Sequence, residues 1–294
     1  AMGNTVFFFV DSIDDELVSR LRLAGYKVRE DSAELRKNII NKWDAVVIDT
    51  YHLSQNDMRF WCAKGHNSLV FDDYDNGCSF CTTRIVAKPS LGVLYENEKT
   101  LFGPHFIPLG ADFRKHAKVR FGPVKEVLFM FGLRDSVGAT LLALEVWREI
   151  LNLLPDIKVT CVIGSTCPSL MEVKKSIEGI GGQILIDHKN VSKLFVEFDL
   201  AVGGGGLSLY ERACSGLVNI ATPIAENQKP LCHWLATNGG CLYVEFDPFS
   251  FKKKLKECIF YLIFNQNSRA EISKNAMELI DGLGAERVAT RIIS

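Results

Sequence analysis

Twice along this chain, short unbroken apolar runs alternate with amphipathic stretches, and this alternation limits the fold more than any other feature. Ala45-Val46-Val47-Ile48 has four apolar residues in succession, as expected for a strand of a parallel sheet covered on both faces. Thr5–Val10, Tyr26–Val28 and Ser68–Phe71 read as further strands. Helices are expected around Leu17, Val18, Leu21 and Leu23, stopped by Gly25, and over Ala33–Ile40. From Asp72 to about Gly110 glycines and prolines break the pattern into short pieces.

A basic stretch, Lys115–Gly122, reads as a linker, and the alternation then restarts. Strands are expected at Glu126–Phe131, Val159–Ile163, Gln183–Ile186, Leu200–Val202 and Val218–Ala221. Helices are expected at Ala139–Leu153, Ser169–Gly179, Val191–Phe195, Leu207–Ser215, Phe251–Phe264 and Arg269–Ile280. The implied fold class is α/β, with two Rossmann-like domains facing a cleft, over residues 1–121 and 122–294. The 294 residues are ample for two cores.

The sharpest local signal is Gly203-Gly204-Gly205-Gly206-Leu207-Ser208-Leu209-Tyr210-Glu211, which follows a strand and opens a helix. Glycines let a ligand approach the backbone, and free amides of a first helical turn attract phosphate. Ser208 adds a hydroxyl, and Glu211, one turn in, suits a ribose diol. The alternative is a plain tight turn, for which four consecutive glycines are entropically costly.

The net charge of −1 gives no basic excess for nucleic acid. The Phe7–Val10 run is far too short for a membrane span. Nine cysteines, an odd number, mostly inside apolar stretches, read as reduced thiols of a cytoplasmic protein.

The segment Asp199–Gly216 together with Pro223-Ile224-Ala225-Glu226-Asn227-Gln228 resembles the UDP-sugar hydrolase of pseudaminic-acid biosynthesis and the related spore-coat polysaccharide proteins. Those belong to the two-domain nucleotide-sugar glycosyltransferase fold called GT-B. Ile48-Asp49-Thr50-Tyr51, Phe71-Asp72-Asp73, Phe102-Gly103-Pro104 to Phe113-Arg114, Phe131-Gly132 and Asp281–Val288 extend the resemblance over nearly the whole chain. It implies a UDP-sugar ligand and no metal or cofactor. Gly132, Gly204, Gly205, Gly206, Leu207, Ser208 and Leu209 would surround the nucleotide diphosphate, with Gln228 beside them and Glu211 on the ribose. His188 would lie near the base. Asn227 would sit at the sugar or leaving phosphate, faced by Tyr51 from the other domain. Apart from the resemblance, His52 follows at a strand's carboxyl end, where open α/β sheets place ligands, and is a further catalytic candidate against a solvent-facing side chain.

The family opens with a Gly-x-Gly-His loop whose histidine is the expected catalytic group, and these 294 residues contain no such motif. Thr5–Val10 and the following helix resemble the family's second strand and helix. Leu133 replaces a second glycine after Gly132, and Gly216-Leu217-Val218 lacks the usual proline. The expectation is therefore a shortened N-terminal domain. Either a non-catalytic binder or a subunit completed by a partner chain's strand then competes with an active hydrolase or transferase.

Three further groupings compete for chemistry. Cys62, His66, Cys78 and Cys81 follow a C-x3-H-x11-C-x2-C spacing, compatible with zinc but more simply scattered thiols, with Cys62 and His66 expected on one helix. Asp72-Asp73 offers two carboxylates, but neighbours at a strand end point to opposite faces. His233 is expected on a helix surface, and Lys252–Lys254 with Lys256 on a solvated helix face.

Overall fold

The computed structural model describes residues 5–10, 15–40, 42–50, 53–72, 78–89 and 99–293. In its first half the elements are β1 (Phe7–Val10), α1 (Asp15–Leu23), β2 (Lys27–Glu30), α2 (Ala33–Asn38), β3 (Trp43–Ile48), α3 (Gln55–Cys62), β4 (Gly65–Phe71), β5 (Thr83–Val86), β6 (Thr100–Phe102) and α4 (Ala111–Lys115). The strands form two parallel sheets, β1-β2 and β3-β4-β5-β6. Ser32 and Ser54 cap α2 and α3, their hydroxyls accepting from Leu35 N and Asp57 N. Asp31 joins the sheets' helices, pairing with Arg36 at 2.7 Å and accepting from the Trp61 indole at 3.2 Å.

The second half comprises β7 (Glu126–Met130), α5 (Ala139–Leu151), β8 (Lys158–Ile163), α6 (Leu170–Glu178), β9 (Gln183–Ile186), α7 (Val191–Leu194), β10 (Leu200–Gly204), α8 (Leu207–Cys214), β11 (Val218–Thr222), α9 (Lys229–Thr237), β12 (Leu242–Tyr243), α10 (Phe251–Phe264), α11 (Gln266–Leu279) and α12 (Gly284–Ile293). Its six parallel strands run β12-β11-β10-β7-β8-β9. Counted from β7, the spatial order is 6-5-4-1-2-3, a doubly wound Rossmann sheet whose order reverses between β7 and β10. Both faces are covered. Val127, Phe129, Val202, Val218 and Ile220 pack with α5 and α10 residues, while Leu128, Ala201 and Ala221 pack with α8 and α9 residues. This two-sided burial explains the unbroken apolar runs.

Several sequence expectations shift. β10 runs two residues further, taking Gly203 and Gly204 into the sheet. His66 does not share a helix with Cys62: α3 ends at Cys62 and His66 lies exposed on β4. The i, i+4 geometry that would have made the pair a chelate is therefore lost. Among the described residues no cluster of three or more His, Cys, Asp or Glu side chains is arranged to hold a metal.

The linker stretch is pinned to the second half. The Arg120 guanidinium donates to Phe195 O at 2.7 Å and Phe198 O at 2.8 Å. Arg269 donates to Gly122 O and to the Leu262 and Ile263 carbonyls in the last turn of α10. These buried cations satisfy carbonyls that a helix end leaves unpaired. At the C-terminus α12 returns to the first half, where Val288 packs with Leu69, Ile85 and Ala87. Asn67 Nδ2 donates to Ile292 O at 3.0 Å.

Candidate nucleotide site

Open α/β sheets bind ligands beyond the carboxyl ends of their strands, where the strand order reverses. Here that point lies between β7 and β10, followed respectively by Gly132 and by Gly205-Gly206. Register places Val202 beside Phe129 and Gly203 beside Met130, so the two loops leave the sheet side by side. Gly132 has φ of 99°, a left-handed conformation that lets the chain turn directly off β7.

The helices that follow these loops differ in a decisive way. At α5 the buried Asp135 carboxylate accepts from Ala139 N at 2.9 Å and Thr140 N at 2.8 Å. That helix start already holds an anion. At α8 the N-cap is Gly206, with no side-chain cap. Leu209 N donates to Gly206 O at 2.9 Å, and its side chain is fully buried, so its amide is committed to the turn. The Leu207 and Ser208 amides have no partner among the described residues, and the helix dipole adds to their pull on an anion.

The glycine loop is held from two sides. Gln228 Oε1 accepts from Gly205 N and from Ile224 N, each at 3.0 Å, tying the loop to the turn after β11. A Cβ at Gly205 would overlap the buried Cys232 Sγ and lie 3.1 Å from Gln228 Cβ. A Cβ at Gly206 would meet only Gln228 Nε2, at 3.6 Å, an ordinary contact distance, so Gly206 is far less enclosed than Gly205.

Beneath the loop lies Arg212, fully buried, which the sequence reading passed over. Its guanidinium donates to Gly204 O at 2.8 Å, Met130 O at 3.4 Å, Asn219 Oδ1 at 2.6 Å and Ser208 Oγ at 3.1 Å. It thus joins the carboxyl ends of β7 and β10 and the Asn219 side chain, near the start of β11, to the first turn of α8. Burial pushes it down to about 10, which leaves it charged at neutral pH. Glu211, half-buried one residue earlier, is held above the ordinary carboxylate range by burial, and the Arg212 charge offsets only part of this.

The remaining sequence candidates are more dispersed. Asn227 is exposed on the short 3-10 turn Glu226–Gln228. His188 follows edge strand β9, three strands from β10, or roughly 14 Å across the same end of the sheet. Tyr51, His52 and Asp73 lie outside the described residues. Asp72 pairs with Arg84 at 3.4 Å in a buried setting. His233 packs on the Tyr243 ring, centroids 4.2 Å apart, and Lys252 and Lys256 pair with Glu145 and Glu149. From α8 the Tyr210 hydroxyl reaches the first half, donating to Ala87 O at 3.0 Å.

The fold, α/β with parallel sheets in two Rossmann-like domains, matches that of solved structures of the GT-B glycosyltransferase type. A glycosyltransferase from Rickettsia africae superposes with a TM-score of 0.66 at 13% identity, over 99% of this chain and 90% of that one. S. aureus MnaA, solved with UDP, superposes at 0.61 and 12% identity, over 97% and 87%. In sequence, the chain is 27% identical over 139 residues to the spore coat polysaccharide biosynthesis protein SpsG of Bacillus subtilis. That match spans 46% of this chain and 41% of SpsG. No family model matches. Among the described residues no helix is long and apolar enough to cross a membrane.

Proposed function

We propose that the chain binds a nucleoside-diphosphate sugar, UDP-linked by preference, at the loop between β10 and α8. The observation that carries this reading is the uncapped start of α8 at the strand-order reversal, with the Leu207 and Ser208 amides unpartnered while α5 is already capped by Asp135. Gly206 admits the diphosphate, Ser208 supplies a hydroxyl, and the half-buried Glu211 accepts from the ribose hydroxyls. The structural likeness to MnaA with UDP and the sequence likeness to SpsG support the ligand class and a place in surface-glycan synthesis. The domain division at residues 121/122 belongs to the same proposal, with α12 packed against the first half's sheet.

The reaction we assign is hydrolysis or transfer of the sugar with UDP as leaving group. The α8 amides and dipole stabilise charge developing on the diphosphate. Asn227, Tyr51 and His52 are the proposed groups on the sugar side. A thermal-shift panel with UDP, CDP, GDP and ADP tests the ligand class. Saturation to about 100-fold over Kd stabilises a fold by about 2.7 kcal/mol. A panel without any shift overturns the reading, and a shift with ADP alone overturns the choice of UDP.

A further inference from the structure

Among the described residues no carboxylate is in hydrogen-bond contact with Arg212; its four acceptors there are two carbonyls, an amide oxygen and a hydroxyl. A charge buried this deeply is costly unless it is compensated. A guanidinium only donates. Ser208 Oγ therefore uses a lone pair on Arg212, and its own hydrogen must point elsewhere. Among the described residues nothing accepts that hydrogen. Ser208 is half-buried in the first turn of α8, beside its own unpartnered amide and that of Leu207. A hydroxyl that accepts from a cation is polarised into a stronger donor.

We propose that Arg212 is a positioning residue for the diphosphate: it aims and polarises the Ser208 hydroxyl toward a bound phosphate oxygen while fixing the carbonyl end of β10. The inference rests on the reading of the β10–α8 loop as a nucleoside-diphosphate site and adds the residue that supplies its positive charge. Hydrogen-bond geometry carries the charge to the ligand in two steps, from Arg212 to Ser208 and from Ser208 to phosphate. Uridine, which lacks phosphate, is insensitive to this pair.

The test is calorimetry on the full chain with UDP, inorganic pyrophosphate and uridine. Ser208→Ala lowers UDP and pyrophosphate affinity about tenfold or more, the scale of one hydrogen bond to a charged group, and Ser208→Thr restores it. Arg212→Lys gives a similar loss, and the double variant Ser208→Ala with Arg212→Lys loses no more than either single change, because the two act in series. Asn219→Asp keeps the guanidinium but sets a carboxylate against it, and it too weakens pyrophosphate binding; it serves where Arg212→Lys does not fold. Uridine affinity stays constant throughout. Additive losses, equal losses for uridine and UDP, or full pyrophosphate affinity in Ser208→Ala and Asn219→Asp overturn the proposal while leaving the nucleotide reading intact. Pyrophosphate binding with these losses but no UDP binding supports the proposal and removes the nucleotide reading. Binding of neither ligand to the unmodified chain removes both.

Discussion

Gly205 and Gly206 are adjacent and chemically identical, yet alanine at each has a different expected outcome. Neither has a left-handed φ, so alanine is conformationally permitted at both. Replacing glycine at such a site stabilises a fold by about 0.4–1 kcal/mol through the unfolded chain. At Gly205 the new methyl overlaps Cys232 Sγ and comes within 3.1 Å of Gln228 Cβ and 3.3 Å of Gln228 O. Cys232 is fully buried and has no room to retreat. Overpacking of this kind costs about 1–3 kcal/mol, which outweighs the entropic gain. Gly205→Ala is thus expected to lower Tm by several degrees, at about 2–4 °C per kcal/mol. Adding Cys232→Ala removes the obstructing sulfur and recovers part of that loss. At Gly206 the methyl meets one atom at ordinary contact distance, so Gly206→Ala keeps or raises Tm. Its cost falls on the ligand: UDP affinity drops about tenfold, one charge-assisted hydrogen bond's worth. Calorimetric melting and UDP titration of the four proteins decide the matter. A Gly205→Ala protein at least as stable as the unmodified chain, or a Gly206→Ala protein with unchanged UDP affinity, refutes the division of roles.

Glu211→Gln is expected to weaken UDP binding by roughly 1.5–3 kcal/mol while stabilising the ligand-free protein at neutral pH. Because burial raises the folded-state pKa above the ordinary 4.5, the carboxyl's contribution to stability is present at low pH and lost as pH rises through the raised value. UDP affinity runs the opposite way, falling as pH drops and the carboxylate proposed to hold the ribose is protonated; unfolding and titration from below the ordinary 4.5 up to neutral pH check both signs, and a pH-independent pair of curves refutes them. Metal analysis of purified protein is expected to find no stoichiometric zinc, and one equivalent lost with Cys78→Ser and Cys81→Ser contradicts this. UDP release from UDP-linked diacetamido sugars is expected to be slow, since general acid–base assistance is worth about 10²–10⁴-fold and no Gly-x-Gly-His supplies it within these residues. Rapid multiple turnover contradicts that, and its loss in His52→Ala would assign the base to His52.

The sequence by itself determined the α/β class, because unbroken apolar runs such as Val127–Phe131 survive only where a parallel sheet is covered on both faces. It also placed the glycine loop between a strand and a helix, since both signals are local along the chain. What it did not contain was partnership across space. The spacing of Cys62 and His66 suited one helical face, but α3 stopped at Cys62 and the histidine joined β4. The helical pattern legible in the sequence ends at Ile280, and only packing decided that Val288, on a further helix, would leave its own half for the sheet of the other. Nor did any pattern separate the start of α5 from that of α8; that depended on Asp135 folding back onto one helix start while no side chain among the described residues caps the other. Arg212 read as an ordinary helix residue beside Glu211. Its importance comes from the convergence of three strands, two of them at their carboxyl ends, on one buried guanidinium, and only tertiary structure brings those strands together.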